Sequence, residues 1–470
     1  MDLKYRNKNF FKIFGAIDKL KQVINPGILM LLVAMITMFI ANSPLRTWYE
    51  SLWTLEFFIG LGDFNLLSHH GESLTALEFI NDGLMTIFFF AVGLEIKREI
   101  LVGELSSFRQ AILPIIAAFG GMIMPILIFL FVGNAQGLSP AEMRGVAIPM
   151  ATDIAFSIGI LSLLGKRVPL SLKIFLLALA IVDDIGGILV IALFYSDFNT
   201  TSLIYLAISL IFLGILFAGN QLRVNNKLFY IMNGIAIWYL FLQAGIHPTI
   251  AGVITAFMVP GRPYLDIKKY TEELHRDLDI LDASIPRGGF GSIVLTNTQI
   301  RYLARVEAAS DHVISPLQHF EDDLHDLVNY IIMPLFAFAN AGVVFNLAHF
   351  PLFSGVSLNI LCGLFFGKMT GIFLFTWITI KLRISRLPHR MTLKSLFAVS
   401  ILGGVGFTVS LFLAGLSYPL GSELLNDAKL GVISGSVVSG VLGYLLLRLT
   451  LPKAKGSSPE EDELIKHHHN

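Results

Sequence analysis

The chain has 470 residues, of which 54% are hydrophobic and 14% charged, and its formal net charge is zero. Soluble proteins carry about 25% charged residues, so this composition excludes an ordinary soluble protein and predicts one polytopic membrane bundle. A zero net charge gives no electrostatic reason to expect nucleic acid as a partner. The single cysteine, Cys362, excludes an intrachain disulfide and argues against a thiolate metal site.

The chain begins with a basic segment, residues 1–25, which predicts either an orientation signal or a contact with an anionic membrane surface. Twelve apolar segments follow, and we expect each to form a transmembrane helix. They cover residues 26–42, 76–104, 111–132, 141–164, 170–195, 202–219, 228–241, 244–259, 326–347, 356–380, 395–417 and 427–449.

Lysine and arginine residues concentrate in alternate connections between these segments, whereas the opposite connections carry only Arg46, Arg144 and Lys429. Basic residues favour the cytoplasmic side of a membrane. The pattern therefore predicts that both termini of the chain are cytoplasmic.

A polar insertion, residues 260–317, separates predicted helices 1–8 (26–259) from predicted helices 9–12 (318–451). It is long for a loop, so we expect partly ordered cytoplasmic structure with helices near Ile267–Leu281 and Thr298–Ser310. Residues 452–470 are rich in lysine, glutamate and serine, which predicts a disordered cytoplasmic tail. Its terminal histidines are either a metal-binding tract or the remnant of an affinity tag.

Two triplets of apolar segments correspond to each other, and the charge pattern predicts that they run in opposite directions. The triplets are 111–132, 141–164 and 170–195, and 356–380, 395–417 and 427–449. The middle segment of each is interrupted, by Ile148–Asp153 in the first and by Gly403–Thr408 in the second. Proline lacks an N–H and glycine loses backbone entropy on folding, so each interruption predicts two half-helices. Paired broken segments in inverted halves indicate a transport site at the membrane midplane.

Two adjacent carboxylates, Asp183 and Asp184, lie near the middle of the apolar run Ile174–Tyr195. Insertion scales assign each acid a cost of about 2.5–3.5 kcal/mol at the centre of a membrane helix, so a functional role is the default interpretation. A structural acid paired with a buried cation is the alternative. Neighbours on a helix point about 100° apart, so we expect different roles for the two residues.

Three further polar residues belong to the same predicted site. Asp153, next to Thr152, would offset the partial positive charges of two facing helix N-termini. Lys368 lies at the centre of segment 356–380 and can neutralise a carboxylate, of which Asp183 is the nearest by depth. Asp184 then remains for a small cation, with Thr152, Asp153 and backbone carbonyls as further ligands. A carboxylate that binds either a proton or a cation couples the two by competition, which is the minimum requirement of an antiporter, although a permanent structural ion pair remains the alternative for Lys368.

Six short motifs occur in order between about residues 25 and 450, interrupted by the insertion. They are Gly93-Leu-Glu95-Ile-Lys-Arg98-Glu99, Thr152-Asp153-Ile-Ala-Phe, Ala180-Ile-Val-Asp183-Asp184, Gly245-Ile-His247, Pro334-Leu-Phe-Ala-Phe-Ala-Asn340-Ala-Gly and Gly404-Val-Gly-Phe-Thr-Val-Ser. Together these motifs closely resemble the NhaA family of bacterial sodium/proton antiporters.

The resemblance implies an all-α inner-membrane protein with twelve transmembrane helices, inverted repeats and two crossed broken helices. It implies electrogenic exchange of internal Na⁺ or Li⁺ for external protons, activated at alkaline pH, with no cofactor and no enzymatic reaction. Asp184 resembles the cation-binding acid of the family, and Asp183 the second essential acid, which pairs with the membrane lysine, here Lys368. Asp153 and Thr152 resemble the broken-helix positions.

Five residues resemble family positions that are tied to the pH response. They are Glu95, Arg98, Glu99, His247 and Glu321. Charges at i, i+3 and i+4 also form ordinary surface networks, so a structural interpretation of the first three stays open. The chain departs from the family where Met369 follows Lys368 in place of the usual proline.

Two other functions compete with antiport. A sodium-coupled symporter of an organic solute would share the inverted-repeat fold but would gain nothing from a lysine within the membrane. A membrane sensor would have no use for two broken helices. The expected partners are Na⁺, Li⁺, H⁺ and membrane lipid, together with a second copy of the chain at the aromatic stretch 43–72, which contains Trp48 and Trp53.

Overall fold

The computed structural model describes residues 21, 24–58, 60–61, 64–65, 68–69, 72–195, 202–262, 267–283, 297, 300–305, 314–345, 354–388 and 391–452. The predictions for the basic segment 1–20, the terminal histidines and the rest of the tail lie outside these residues. Parts of the polar insertion also lie outside them.

Most of the described secondary structure is helical. In chain order the α-helices are α1 (Pro26–Ala41), α2 (Arg46–Trp53), α3 (Ala76–Leu101), α4 (Phe108–Gln136), α5 (Ile154–Leu163), α6 (Leu170–Phe194), α7 (Ser202–Gln221), α8 (Lys227–Ala244), α9 (Thr249–Met258), α10 (Ile267–Ala283), α11 (Pro316–Leu327), α12 (Met333–Asn340), α13 (Gly355–Lys381), α14 (Leu393–Leu402), α15 (Phe407–Ser417) and α16 (Glu423–Thr450).

Shorter elements complete this order. The 3₁₀ helices are Glu142–Met150 and Gly165–Arg167, and π-helical turns occupy Phe79–Leu84, Val328–Ile332 and Gly363–Gly367. Two antiparallel hairpins pair β1 (Gly60–Leu61) with β2 (Phe64–Asn65), and β3 (Ser68–His69) with β4 (Glu72–Ser73).

The chain forms two compact units. The first comprises the described parts of Met1–Leu55, Glu104–Tyr195 and Met333–Asn470, and the second those of Glu56–Gly103 and Ser196–Ile332. Each predicted triplet therefore lies within the first unit, together with all five of the predicted site residues, Thr152, Asp153, Asp183, Asp184 and Lys368.

Six helices in the described part of the chain are long and apolar enough to cross a membrane, namely α3, α4, α6, α7, α13 and α16. Three bent pairs pass the same test together, which raises the number of spans to nine at most, and α9 is a shorter apolar helix. These helices support a multi-pass membrane protein, whereas the count of twelve and the inverted repeats stay predictions.

The two predicted helix breaks are confirmed. The 3₁₀ helix Glu142–Met150, which contains Pro149, makes an angle of 49° with α5, and the extended residue Ala151 lies at the bend. Helices α14 and α15 make an angle of 42° with each other. The first apolar segment is also followed by a bend, of 114°, between α1 and α2. Hydropathy did not reveal this third bend, because α2 is amphipathic and polar on average.

The glycines of the second break permit a close approach to α13. A Cβ at Gly404 would lie 2.4 Å from the carbonyl oxygen of Leu364, a distance that no real side chain adopts. A Cβ at Gly406 would lie 2.3 Å from the Ser410 hydroxyl oxygen and 3.0 Å from the carbonyl oxygen of Ala151. Only glycine at these two positions lets the broken segment contact its neighbours this closely.

Helices α4 and α13 also cross in close contact, at Gly120 and Gly371, both of which are buried. A Cβ at Gly371 would lie 2.1 Å from the Gly120 carbonyl oxygen. We expect Gly371→Ala to force the helices apart and to lower the free energy of unfolding by about 1–3 kcal/mol, the usual cost of overpacking. Thermal unfolding of the purified protein in detergent measures this effect.

Gly415 provides the matched control, because it lies within α15 and a Cβ there would meet nothing within 4 Å. Gly415→Ala should leave stability unchanged or raise it by up to about 1 kcal/mol. Equal melting temperatures for the two variants would contradict the proposed close packing of α4 against α13.

The second unit is built around α3, α8, α9 and α11. Its buried residues include Leu94, Tyr230 and Phe320, and the Phe320 ring meets the rings of Phe90 and Tyr230 edge-on at 5.4 and 6.4 Å. Helix α10 confirms the predicted helix near Ile267–Leu281. The predicted apolar segment 326–347 starts too late, because α11 already begins at Pro316 with a capping box between Ser315 and Gln318.

The aromatic stretch 43–72 supplies packing within the chain. Tyr49 donates a hydrogen bond of 2.7 Å to the Phe338 carbonyl oxygen, and the Trp53 ring lies 5.6 Å from the Tyr49 ring and 5.5 Å from the Phe338 ring. Trp48 is 52% exposed. The pairing of this stretch with a second copy stays a prediction.

Candidate functional site

Asp153 lies where two half-helices of the first unit begin. One carboxylate oxygen, Oδ1, accepts a hydrogen bond of 2.9 Å from the Phe156 amide and caps the N-terminus of α5. The other, Oδ2, accepts hydrogen bonds from the Thr408 amide at 3.0 Å and the Thr408 hydroxyl at 2.6 Å, in the first turn of α15. The carboxylate is thus placed to offset the partial positive charges of both N-termini.

The backbone of the two breaks is also hydrogen-bonded across the crossing. The Asp153 amide donates to the Val405 carbonyl oxygen at 2.7 Å, and the Ser410 hydroxyl donates to the Ile148 carbonyl oxygen at 2.8 Å. Unwound backbone at membrane depth is stable only where such partners replace the missing helical hydrogen bonds. These contacts therefore explain how the chain tolerates both breaks.

We expect Asp153→Ala to destabilise the protein by about 2–4 kcal/mol, because it leaves the buried amides of Phe156 and Thr408 without their acceptor. Asp153→Asn keeps one side-chain oxygen and should lose less stability. Thermal unfolding in detergent measures both changes. Melting temperatures of both variants equal to that of the native protein would show that the carboxylate does not hold the two half-helices.

A buried ion pair lies deeper in the same unit, between the middle of α6 and the middle of α13. The Lys368 ammonium nitrogen is 2.5 Å from Asp183 Oδ2, and the side chains of both residues are fully buried. The Thr152 hydroxyl oxygen lies 2.7 Å from Asp183 Oδ2 and 2.9 Å from the Gly403 carbonyl oxygen, so either oxygen can accept its proton. The first broken segment therefore contacts the ion pair through Thr152, and the same hydroxyl links it to the second broken segment at Gly403.

Lys368 reaches this position directly after a π-helical turn, Gly363–Gly367. Such turns change the direction of the side chains that follow them and are frequent at functional sites. The glycines at both ends of the turn are packed closely, since a Cβ at Gly367 would lie 2.5 Å from Cα of Pro125. The turn thus aims a lysine at α6 while α13 remains in contact with α4.

Asp184 follows Asp183 on α6 and is 3% exposed. Neighbours on a helix point about 100° apart, and the different roles expected of the two carboxylates stay a prediction. Oδ1 of Asp183 is buried and accepts no hydrogen bond from the described residues. Two acids at membrane depth, next to one ammonium group, leave a site with more negative than positive charge.

A second polar cluster lies in the other unit. The Arg98 guanidinium binds Glu99 Oε1 at 2.9 Å and Glu321 Oε1 at 2.7 Å. Glu95 lies one turn before Glu99 on α3. The family resemblance grouped these four residues with His247, and the structure brings Arg98, Glu99 and Glu321 into contact.

His247 lies apart from this cluster, between α8 and α9 of the same unit. It is 9% exposed, its Nδ1 lies 2.8 Å from the Thr249 hydroxyl oxygen, and its Nε2 lies 3.7 Å from Asp82 Oδ1. Sequence reasoning missed Asp82, although an acid inside an apolar run was a visible signal. It also missed the contact of Thr408 with Asp153, whose signal was a hydroxyl residue at the start of a half-helix.

Sequence comparisons agree with this geometry. Residues 18–447 match the family model described as Na+/H+ antiporter 1. A protein of Bacteroides thetaiotaomicron named Na(+)/H(+) antiporter NhaA is 54% identical over 433 residues, which cover 91% of this chain and 96% of that protein. Proteins of the same name from Porphyromonas gingivalis and Psychrobacter cryohalolentis are 44% and 43% identical, over 95% and 93% of this chain and 98% and 96% of their own length.

The match spans both units, both broken helices and the buried Asp183–Lys368 pair, and it confirms the resemblance drawn from the six motifs. The chain therefore belongs to the NhaA family of Na⁺/H⁺ antiporters.

Proposed function

We propose that this chain exports Na⁺ or Li⁺ across the bacterial inner membrane in exchange for external protons. The observation that carries the proposal is family membership over nearly the whole chain, because the relatives are named as Na⁺/H⁺ antiporters. The buried acids and lysine of the first unit supply the chemistry that such exchange requires.

Exchange follows from competition at one carboxylate. Asp184 binds either a proton or a cation, since the protonated acid carries no charge to hold Na⁺. In the proposed cycle, the cation enters from the cytoplasm and displaces bound protons, and the same number of external protons later displaces the cation. Thr152, Asp153 and backbone carbonyls of the breaks are the proposed further ligands.

Asp183 and Lys368 form the second proposed element. Burial favours the neutral form of a lysine, whereas a nearby carboxylate favours its charged form. When Asp183 is protonated or engages the cation, the ammonium group loses its partner and can release a proton. The short contact between Lys368 and Asp183, together with the Thr152 hydroxyl that also reaches Asp183, supports this linkage.

The proposed architecture has twelve transmembrane helices, with inverted repeats that place both breaks at the midplane for alternating access. Helices 1–8 occupy 26–259 and helices 9–12 occupy 318–451, and the insertion 260–317 and both termini are cytoplasmic. A second copy of the chain is the proposed partner of the stretch 43–72. The sodium-coupled symporter is not favoured, since the relatives' names describe antiport.

Everted membrane vesicles test the proposed function. Vesicles that contain the protein are acidified by respiration, and Na⁺, Li⁺ or K⁺ is then added at pH values from about 6.5 to 9 while a fluorescent dye reports the pH gradient. Dissipation by Na⁺ or Li⁺ that rises with pH is the expected result. A gradient that no cation dissipates, in well-expressed protein, would overturn the antiporter.

The cluster of Arg98, Glu99 and Glu321 is the proposed pH-responsive element. Glu95, one turn away on α3, and the separate His247 are further proposed pH-responsive residues. Burial raises the pKa of the Glu321 carboxyl above its ordinary value, and the neighbouring Arg98 guanidinium opposes that shift. A carboxyl whose pKa is raised on folding stabilises the fold most at low pH, and this contribution is lost as pH rises through the raised pKa.

We therefore expect Glu321→Gln, which stays neutral, to gain thermal stability relative to the native protein as pH rises through the pKa of Glu321. Because glutamine mimics the protonated, low-pH form, activation of transport should move to higher pH with its maximum retained. The control is Asp323→Asn, which removes the same charge from an exposed residue of the same helix. Identical pH profiles for the native protein and Glu321→Gln would remove this residue from the pH response.

A further inference from the structure

A cavity of about 720 Å³ opens at one end of the first unit, between the first turns of α4 and α6 and the loop that follows α13. We propose that this cavity binds the phosphate headgroup of an anionic phospholipid. The inference goes beyond ion exchange, and it concerns residues that take no part in the site around Asp183.

The first observation is uncompensated positive charge. Arg109, Arg383 and Arg386 line the cavity, and Glu104 is the single carboxylate among the lining residues. Within the part of the chain that the structure describes, no carboxylate oxygen lies within 4.0 Å of any of these three guanidinium groups. A guanidinium group matches the oxygen geometry of phosphate and forms two parallel hydrogen bonds with it.

The second observation is the orientation of two helices. Gln110 in the first turn of α4 and Ser171 in the first turn of α6 both line the cavity. Neither Ser107 nor Pro169, the residues that precede these helices, caps its helix with a side-chain hydrogen bond. Helix N-termini attract anions, so their partial charges add to the field of the three arginines.

The third observation is the apolar floor, which favours a lipid over a small soluble anion. Leu113, Phe175 and Ala178 line the cavity and are buried. Ile384, which also lines the cavity, is exposed, as expected for a residue in contact with acyl chains. The immediate sequence neighbours of three other lining residues are large, apolar and exposed as well, namely Phe108, Leu170 and Leu382.

A neighbouring contact places this end of α13 at the boundary between lipid and water. The Lys381 ammonium group lies 4.7 Å from the centre of the Trp377 ring. Tryptophan concentrates at membrane interfaces, and lysine extends its charge from there towards water. Basic pockets between transmembrane helices at such interfaces bind anionic lipid headgroups. In the proposed orientation, this is the cytoplasmic leaflet.

The cavity does not suit a cation entrance, although Ala178 precedes Asp183 on α6 by a rise of only about 7.5 Å. A Na⁺ ion on this route would pass three guanidinium groups and the positive ends of two helices, which repel it. An anion experiences the opposite force. The same charges therefore exclude the transported cation and attract a phosphate group.

Lipid binding is measured on the full-length protein in neutral detergent, through the rise in melting temperature when dioleoylphosphatidylglycerol or dioleoylphosphatidylcholine is added. The test variant combines Arg109→Gln, Arg383→Gln and Arg386→Gln. The matched control combines Arg223→Gln, Arg301→Gln and Arg305→Gln, which remove the same charge from exposed arginines of the second unit. Soluble glycerol 3-phosphate is the probe for a headgroup without acyl chains.

The native protein and the control should be stabilised by phosphatidylglycerol more than by phosphatidylcholine. The test variant should need at least about tenfold more phosphatidylglycerol for the same shift, since each basic side chain contributes about fivefold near an anionic surface. An unchanged response of the test variant would overturn the proposal. An equal response of the native protein to glycerol 3-phosphate would assign a small-anion site and overturn the lipid.

Two further measurements keep the test decisive. If the triple variant does not fold, native mass spectrometry of Arg386→Gln should show weaker retention of phosphatidylglycerol than the native protein, and equal retention would contradict the proposal. Asp184→Asn should respond to phosphatidylglycerol as the native protein does. Lipid binding is thus judged separately from ion exchange.

Discussion

Asp184→Asn should abolish Na⁺-dependent proton movement while the protein still inserts and folds. Asparagine has nearly the same size, but it carries no negative charge to hold a cation and no acidic proton to exchange. Because Asp184 is 3% exposed, the loss of a buried charge should leave stability unchanged or raise it. Dissipation of the pH gradient in everted vesicles, together with the melting temperature of the purified protein, measures both effects.

The matched control for this variant is Asp323→Asn, which removes the same charge from an exposed residue paired with Lys227. It should transport like the native protein, since exposed ion pairs contribute at most about 1 kcal/mol. Asp184→Glu retains a carboxylate and should keep exchange at a changed apparent affinity for Na⁺. Retained exchange in Asp184→Asn would remove Asp184 from the site.

Lys368→Ala lowers the free energy of unfolding by about 3–5 kcal/mol, the cost of leaving one member of a buried ion pair without its partner. The lysine side chain is fully buried, and its ammonium group lies 2.5 Å from Asp183 Oδ2. The cavity left by three methylene groups and the ammonium group adds to the loss. Thermal unfolding in detergent gives the stability, and currents from proteoliposomes on a solid-supported membrane give the electrogenicity, which should be altered or lost.

A double variant that lacks both charges separates the contribution of the ion pair to stability from the contribution of packing. Lys368→Met combined with Asp183→Asn keeps similar volumes and removes both charges, so it should recover much of the stability that Lys368→Met alone loses. The four proteins form a double-mutant cycle, and its interaction free energy measures the pair. An additive cycle, with unchanged currents in Lys368→Ala, would show that Asp183 and Lys368 are not coupled.

The chemistry of the site could be inferred from the sequence because buried charges need partners. An acid in a broken helix predicted a carboxylate beside facing N-termini, and the contacts of Asp153 with the amides of Phe156 and Thr408 have this form. A lysine and an acid at equal depth predicted the pair of Asp183 and Lys368. In both cases few other groups could stabilise a charged side chain within the hydrocarbon of the membrane.

Other features depend on geometry that a sequence pattern does not specify. The contact between Asp153 and Thr408 joins residues separated by 255 positions, and only the crossing of the two broken segments determines which residue is reached. The bend of 114° after α1 lies at residues 42–45, and the proline within it, Pro44, does not specify the angle between α1 and α2. The early start of α11 was signalled by Ser315, Pro316 and Gln318, but the polar composition around it favoured a loop instead.

The order of synthesis gives the buried contacts of the first unit a consequence for biogenesis. Asp153 and Asp183 leave the ribosome long before their partners, since Thr408 follows Asp153 by 255 residues and Lys368 follows Asp183 by 185. During that interval Asp153 lacks its contacts with Thr408 and Asp183 lacks its ammonium partner, and in the bilayer the protonated form of such an acid is less costly than the charged one. Chains truncated before Thr408 should therefore remain dependent on the insertion machinery, and only the arrival of α13 and α15 allows these acids to ionise within the membrane.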